Sequence, residues 1–462
     1  MLDGIKFKAN PSSNQKIIIS QWMGCSRFIW NSKVEEELYY RTFAKKYYPI
    51  GTYPPIDQTT SQFKSQELTS WLYNCPSQII RNSAVNWFNT YQKFMKGKCG
   101  RPKHKSKLNR GSVHLTKELF NFELCDDGNV RLFIGSKTNN IGYLSFKKHK
   151  DFKIPKSLYI RKNRGEYTIS FCYDDLLDDS KLSNNDEHLD FLRGATDEYL
   201  ENNVIGCDRG VSIPLHTGHS TFDFTSNQKK KMKRAEQYIK RLQRRMAKQV
   251  KGSNRRNKTK HRIAKFHAKK ANIRQDFAHK TSHSLVNGSA SVIIFEDLKT
   301  SNMTKRPKAK KDENGKYISN KAKQKAGLNK AILNVGWHLI ETYTKYKSYR
   351  AGKAVFKIPS PTTSQECAKC GHTHPDNRKT QDKFVCVSCG YTDNADRNAS
   401  LVIKKRAIKL IKHTGTVLSE RGVLTIISDN GRGGSNKTSR SKGSSSKCQR
   451  NVKKEELEIV LF

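Results

Sequence analysis

With 462 residues the chain exceeds one domain of roughly 100–200 residues, so two or three modules with their own cores are expected. Its 88 Lys and Arg against 41 Asp and Glu give a net charge of +47, a self-repulsion that a polyanion such as nucleic acid would neutralise. No 18-residue apolar run occurs and the N-terminus MLDGIKFKAN lacks an apolar leader, which excludes a membrane span or secretory signal from the reading and points to a cytoplasmic, nucleoid-associated protein whose eleven cysteines are not a disulfide framework.

Residues 2–9, LDGIKFKA, alternate weakly and predict a short strand. The pattern then turns helical at Ile17, Ile18, Trp22, Cys25, Phe28 and Ile29, with further helices expected over about 60–74 and 77–96. Trp22, Trp71 and Trp87 sit in amphipathic stripes among aliphatics and read as core. Residues 97–111, GKCGRPKHKSKLNRG, have no periodicity and read as a mobile basic loop suited to phosphates. From 113 to 173 the period becomes two, with turn signals at 127–128 and 164–165, which predicts a small antiparallel β module. The N-terminal strand would complete it, making the intervening helices an insertion into a β-barrel.

Residues 174–201 carry ten acids against Lys181 and Arg193 and read as a linker that avoids nucleic acid. An apolar strand follows, ending in Asp208 and a glycine turn. Residues 229–274 hold twenty Lys or Arg and Glu236 as their one acid, broken near 252–254, and read as a basic helical hairpin for phosphate contact. SASVIIFEDL is a buried-type strand ending in Glu296; a lysine-rich loop at 299–325, one helix through KAILNVGWHLIETYTKY and the strand AVFKI come next.

Cys367 and Cys370 form one C-x2-C pair and Cys386 and Cys389 a second, fifteen residues apart, the spacing of a four-cysteine zinc ribbon. Four thiolates leave no open coordination position, so this zinc is read as structural. Seven residues beyond the last ligand, Asp396 opens another helix, as its cap or as a metal ligand. Asp208 and Glu296 each end an apolar strand, where α/β sheets place their sites. Three such acids, converging on one end of a sheet, would make an oxygen cage for hard divalent cations and so for two-metal phosphodiester hydrolysis. Arg209 is left open between a substrate phosphate contact and a cap of the turn.

In that order, MGCSRFIWN, IGCDRGV, RQDFAHKTS, VIIFEDL, PTTSQECAKCG, FVCVSCG and ADRNAS resemble TnpB, the RNA-guided nuclease family encoded by bacterial transposons, over about residues 1–413. The resemblance implies an α/β multidomain protein: an RNase H-like (RuvC) nuclease domain at 202–365 and 391–413, a zinc ribbon at 366–390, and a wedge β-barrel at 1–10 and 112–175 that holds a helical recognition domain at 11–111. An acidic linker at 176–201 and a disordered basic tail at 414–462 complete the expected layout. It further implies that Asp208, Glu296 and Asp396 are the catalytic, magnesium-binding triad, that Cys367, Cys370, Cys386 and Cys389 bind zinc, and that the partners are a guide RNA and target double-stranded DNA. The rivals are a type V CRISPR effector of the same architecture, a guide-dependent DNA-binding protein without cleavage, a basic zinc-ribbon RNA-binding protein, and a transposase acting through its own nucleophile. Neither of the two binding-protein rivals explains three acids at strand and helix ends.

Overall fold

Along LDGIKFKA, Ile5, Phe7 and Ala9 turn inward while their neighbours face out, the period-two pattern of a half-buried strand. The computed structural model describes residues 2–47, 56–106, 110–124, 130–136, 140–163, 165–174, 184–419 and 421–426. It divides into two compact units, one within residues 1–177 and one within 178–451.

In the first unit the strand just described, β1 (Leu2–Ala9), lies inside a seven-stranded antiparallel sheet. The others are β2 (Arg110–Thr116), β3 (Phe120–Leu124), β4 (Val130–Gly135), β5 (Asn140–Phe146), β6 (Ser157–Asn163) and β7 (Glu166–Asp174), in the spatial order β2-β6-β7-β1-β5-β4-β3. All eight residues of β1 pair with β7, from Leu2 against Asp174 to Ala9 against Tyr167. The two edges, β2 and β3, are consecutive in sequence and joined by a 3-10 turn at Lys117–Leu119 rather than by a hydrogen-bonded ladder among the described residues.

Between β1 and β2 run two long helices, α1 (Ser13–Thr42) and α2 (Ser77–Met95). Ser12 and Gln15 cap α1 reciprocally, and the Gln15 amide also donates to the carbonyls of Ile141 (3.0 Å) and Tyr143 (2.8 Å), fixing the helix start on β5. Three expectations fail in this unit. Residues 60–74 form only 3-10 turns at Ser61–Phe63 and Ser70–Leu72, too short a periodic stretch to propagate a helix. Trp22 and Trp87 are core, but Trp71 is 42% exposed, edge-on to Phe28. The described part of the basic loop is laid onto α1: the Trp30 indole donates to the Lys103 carbonyl at 2.9 Å, and the Lys105 ammonium sits 3.4 Å from the Trp30 ring centre. Both expected hairpin signals include residues outside the described set.

The second unit is built on a parallel sheet of β8 (Val204–Cys207), β11 (Val292–Glu296) and β14 (Ala354–Ile358), in the order β14-β11-β8. Every residue of β11 is buried, as expected of a parallel strand covered on both faces. Val292 and Ile294 face one core with α10 (Ala395–Lys412); Ile293 and Phe295 face another with α6 (Asn254–Asn287) and α9 (Trp337–Arg350). Close contact with α10 needs Gly206, where a Cβ would lie 2.2 Å from the Ser400 carbonyl.

Before this sheet, α3 (Asn185–Gly194) and α4 (Asp197–Asn203) bury Leu189, Leu192 and Leu200 in the α10 core, so the described part of the expected linker is folded structure. Asn184 caps α3, and the acids Asp186 and Glu187 stand in its first turn, where they suit the positive end of the helix dipole. After β8 come the short ribbon β9 (Leu215–His216) with β10 (Thr221–Phe222), and then the basic hairpin of α5 (Ser226–Ala247) with α6. The lysine-rich segment contains one helical turn, α7 (Thr300–Met303), and a hairpin of β12 (Lys310–Lys311) and β13 (Tyr317–Ile318). The single helix expected after it is two, α8 (Ala322–Val335) and α9, separated by Gly336 at φ +82.

Part of the expected tail is also folded: β17 (Thr416–Leu418) pairs with β18 (Leu424–Ile426), and Leu424 is fully buried beside β14. That apolar anchor outweighs the polar composition around it. The rest of the tail, beyond residue 426, lies outside the described residues.

Candidate active site and metal centre

The parallel register brings strand ends together. Cys207 stands opposite Phe295, so the next residues on β8 and β11 are Asp208 and Glu296. Asp208 exchanges backbone hydrogen bonds with His216, 2.9 Å in each direction, which holds it at the sheet end. Glu296 is buried and accepts a hydrogen bond from the Thr363 hydroxyl at 2.5 Å; the Ser360 carbonyl, 3.2 Å from the same oxygen, is the alternative acceptor of that one proton.

Asp396 comes from the opposite direction. The N-cap of α10 is Asn394, whose side chain accepts from the backbone N–H groups of Asp396 (3.0 Å) and Arg397 (3.1 Å), so the Asp396 carboxylate is free of the capping task. It pairs instead with Arg378 at 3.1 Å. This arginine was missed in the sequence, and its place in a polar loop between the cysteine pairs gives no signal.

The charges of all three acids meet. Burial pushes the Asp208 carboxyl up to about 7, and the carboxylates of Glu296 and Asp396 push in the same direction, with Arg378 opposing. Glu296 is raised too, by burial, against the Thr363 hydrogen bond and the charges of Arg209 and Arg406. Such a site attracts cations and resists ionising without them.

Arg209 turns away from this cluster. Its guanidinium is buried, 2.9 Å from Glu341, and donates to the Glu296 carbonyl. Glu341 also meets Lys357 at 2.5 Å and Lys345 at 3.2 Å. Burial alone would raise Glu341, but the Lys357 hydrogen bond and the charges of Arg209, Lys345 and Lys357 hold it at about 2. Arg209 is therefore a buried strut under the sheet end, neither the phosphate contact nor the turn cap between which it was left open.

The four cysteines form the second centre. Cys367 and Cys389 sulfurs are 3.7 Å apart, Cys370 and Cys386 sulfurs 3.6 Å, and all four lie within 4.8 Å of one another. Tetrahedral zinc with bonds of about 2.3 Å places its sulfurs about 3.8 Å apart, so the donor set and spacing fit zinc. Each pair is closed by a turn from a glycine N–H to the first cysteine's carbonyl, Gly371 to Cys367 (2.9 Å) and Gly390 to Cys386 (3.0 Å). Buried Asn377 links the halves by donating to the carbonyls of Gln365 (2.8 Å) and His372 (3.1 Å) and accepting from Val387 N–H (2.9 Å). Asn398, fully buried on α10, accepts from Ala368 N–H (2.9 Å) and donates to the Glu366 carbonyl (2.7 Å). The strands β15 (Lys383–Val385) and β16 (Thr392–Asn394) then run directly into α10. The ribbon is thereby bonded to the helix that carries Asp396.

Comparison with known proteins matches three family models, in chain order: a helix-turn-helix domain, HTH_OrfB_IS605, over residues 1–41; OrfB_IS605, described as a probable transposase, over 190–307; and a Cas12f1-like TNB domain over 337–403. The chain is also 27% identical over 405 residues, 86% of its length and 90% of the relative's, to an Escherichia coli (strain K12) protein that carries the provisional name RNA-guided DNA endonuclease InsQ. The chain is similar to the TnpB family along most of its length. A second relative, from Streptomyces pristinaespiralis and provisionally named an RNA-guided DNA endonuclease, is 22% identical over 400 residues, 86% of this chain and 87% of that protein. Among solved structures, a Cas12f1 protein in complex with single guide RNA and target DNA covers 87% of this chain and 98% of its own at a TM-score of 0.50 and 12% identity, a likeness of fold. The segment matched as helix-turn-helix holds the strand Leu2–Ala9 and nearly all of the single 30-residue helix Ser13–Thr42. No helix among the described residues is long and apolar enough to cross a membrane.

Proposed function

We propose that this protein is an RNA-guided DNA endonuclease of a transposon, in which Asp208, Glu296 and Asp396 hold two magnesium ions at a RuvC-type, RNase H-like site and cut target DNA by phosphodiester hydrolysis. The observation that carries the reading is electrostatic: the carboxylates of Glu296 and Asp396 are the charges that help hold Asp208 near pH 7, a convergence from three distant segments that a capping or surface role for any one acid leaves unexplained. The ions would activate water on one side of the scissile phosphate and stabilise the leaving oxygen on the other.

The protein's own groups divide the remaining work. Thr363 fixes the rotamer of Glu296 through a hydroxyl that cannot ionise. The bridge between Asp208 and His216 fixes the backbone from which the first carboxylate projects. Asn394 takes the capping role, leaving both oxygens of Asp396 to Arg378 or to cations. Zinc held by the four cysteines would supply no chemistry; it would fix the knuckles whose backbone Asn398 ties to α10. We assign sequence recognition to base pairing by a guide RNA, and grip on its backbone to the basic surfaces, a wedge-like role for the first unit included.

The named functions of the relatives support this reading over a basic zinc-ribbon RNA-binding protein or a transposase with its own nucleophile. A type V CRISPR effector has the same chemistry and differs in the locus that supplies the RNA. The test is magnesium-dependent cutting of a duplex matched to co-expressed RNA. Wild type cuts, and Asp208→Ala retains RNA but does not cut; cleavage surviving in Asp208→Ala would end the assignment.

A further inference from the structure

The basic hairpin does more than spread charge. At its tip the last turn of α5 and the first turns of α6 enclose a cavity of about 280 Å³, lined by Arg245, Arg255, Lys258, Thr259 and Arg262. Arg255, Lys258 and Arg262 recur at three- and four-residue steps and so share one face of α6. Arg245 faces them from α5. No carboxylate lines the cavity, and none of the four cations pairs with an acid among the described residues. Thr259 is buried beneath them with its hydroxyl turned to the Arg255 carbonyl at 3.1 Å.

This arrangement is held in place. Arg256, between two of the lining cations, points the other way and donates to the carbonyls of Met246 (2.5 Å) and Gln249 (2.7 Å), closing the end of α5. Ser253 caps α6 through Arg256 N–H at 3.2 Å. Nearer the root, Tyr238 stacks on Phe266 at 5.1 Å, and Glu236 pairs with both Lys270 and Lys330. Four cations held around one space without a counter-charge repel one another, and an anion with several acceptor oxygens removes that repulsion.

We infer that the hairpin tip is a specific phosphate clamp that takes a backbone phosphodiester of the bound nucleic acid between α5 and α6. The proposal rests on the RNA-guided reading above and adds to it a defined contact at a defined distance. α6 is one continuous helix, and Phe277 in it packs on the core behind β11. The 22 residues from Arg255 to Phe277 rise roughly 33 Å, about ten nucleotide steps at 3.4 Å along one strand. The clamp therefore grips nucleic acid remote from the acids, holding the bound molecule and not the phosphate being cut.

The test uses full-length protein and the RNA that copurifies with it, labelled and titrated over a salt series, alone and then annealed to complementary DNA. The clamp variant is Arg255→Gln/Lys258→Gln/Arg262→Gln; the control, Lys230→Gln/Lys233→Gln/Arg241→Gln, removes the same charge from the same hairpin away from the cavity. The clamp variant is expected to lose at least tenfold in affinity near 0.15 M salt and to flatten the salt slope by about 0.7–0.9 per phosphate lost, and the control less than threefold. Arg245→Gln alone, approaching from the other helix, is expected to give a partial loss. An effect with RNA alone assigns the phosphate to RNA, and one seen only after annealing assigns it to the DNA strand. Equal losses in clamp and control variants, or none in either, would overturn the clamp while leaving the RNA-guided reading intact. Failure of wild type to bind RNA at all would remove both.

Discussion

The zinc ribbon and the carboxylate site lie in one folded unit and are built on opposite principles. The ribbon's four ligands fall within 23 residues, and each pair is set by its own tight turn, so local chain geometry makes the site. The acids are 188 residues apart at the extremes, and only the register of β8 on β11 and the docking of α10 bring them together. The ribbon gathers thiols around a position for one ion. The acids stand wider: among the described residues the four cysteines are the group whose ligand atoms all lie within 4.8 Å. The ribbon can thus be judged by whether it stays folded, whereas the acids carry the electrostatic cost of burial beside like charges, which bound cations would relieve.

That contrast can be broken in graded steps. The largest effect is expected at Glu296: Glu296→Ala should lower magnesium-dependent cleavage by roughly 10³-fold or more while RNA recovery and zinc content stay unchanged. Next is the ribbon, where Cys386→Ser should lower bound zinc below one per chain by elemental analysis and destabilise the protein by several kcal/mol, since metal binding energy is folding energy at such sites. Its cleavage should fall with the fraction unfolded, because Asn398 ties the ribbon to the helix bearing Asp396.

A smaller effect is expected in the pH dependence of the magnesium-free protein. Asp208 is held at about 7 when folded, against roughly 3.9 when unfolded. The folded state therefore keeps a proton that the unfolded state has released, and stability from this group, full below about pH 4, is lost as pH rises through 7. Asp208→Asn should raise the Tm at pH 8 by about 2–6 °C and change it little at pH 4, read by thermal melts in chelator selective for magnesium. The smallest effect is expected at Arg378. Arg378→Gln removes a cation that competes for Asp396, so magnesium should bind about two- to fivefold tighter, the scale of a partly exposed ion pair.

The same division explains what could be read from the chain. The cysteine spacing is itself the ribbon, and strand-terminal Asp208 and Glu296 follow from apolar runs that only a buried parallel sheet would use. The resemblance adds Asp396, whose residue type and helical position alone leave it equivalent to a cap until Asn394 is seen in that role. Arg378, Thr363 and Glu341 were not legible, since each matters through a partner distant in sequence. Composition misleads where a few apolar residues anchor polar segments: Leu189, Leu192 and Leu200 in the acidic stretch, and Leu424 in the expected tail. Trp71 fails the other way, an aromatic with a helical-looking setting whose segment never forms a helix.

The measurement that most directly tests the joining of the two regions is cleavage by Asp396→Asn. This substitution keeps the side chain's size, the Asn394 cap and all four zinc ligands, and removes one negative charge from the acid site. With full zinc content and bound RNA, the account predicts that duplex cutting in magnesium falls to about a thousandth of wild type or less. Cutting at the wild-type rate would mean that Asp396 serves only the helix and that the three acids are not one site.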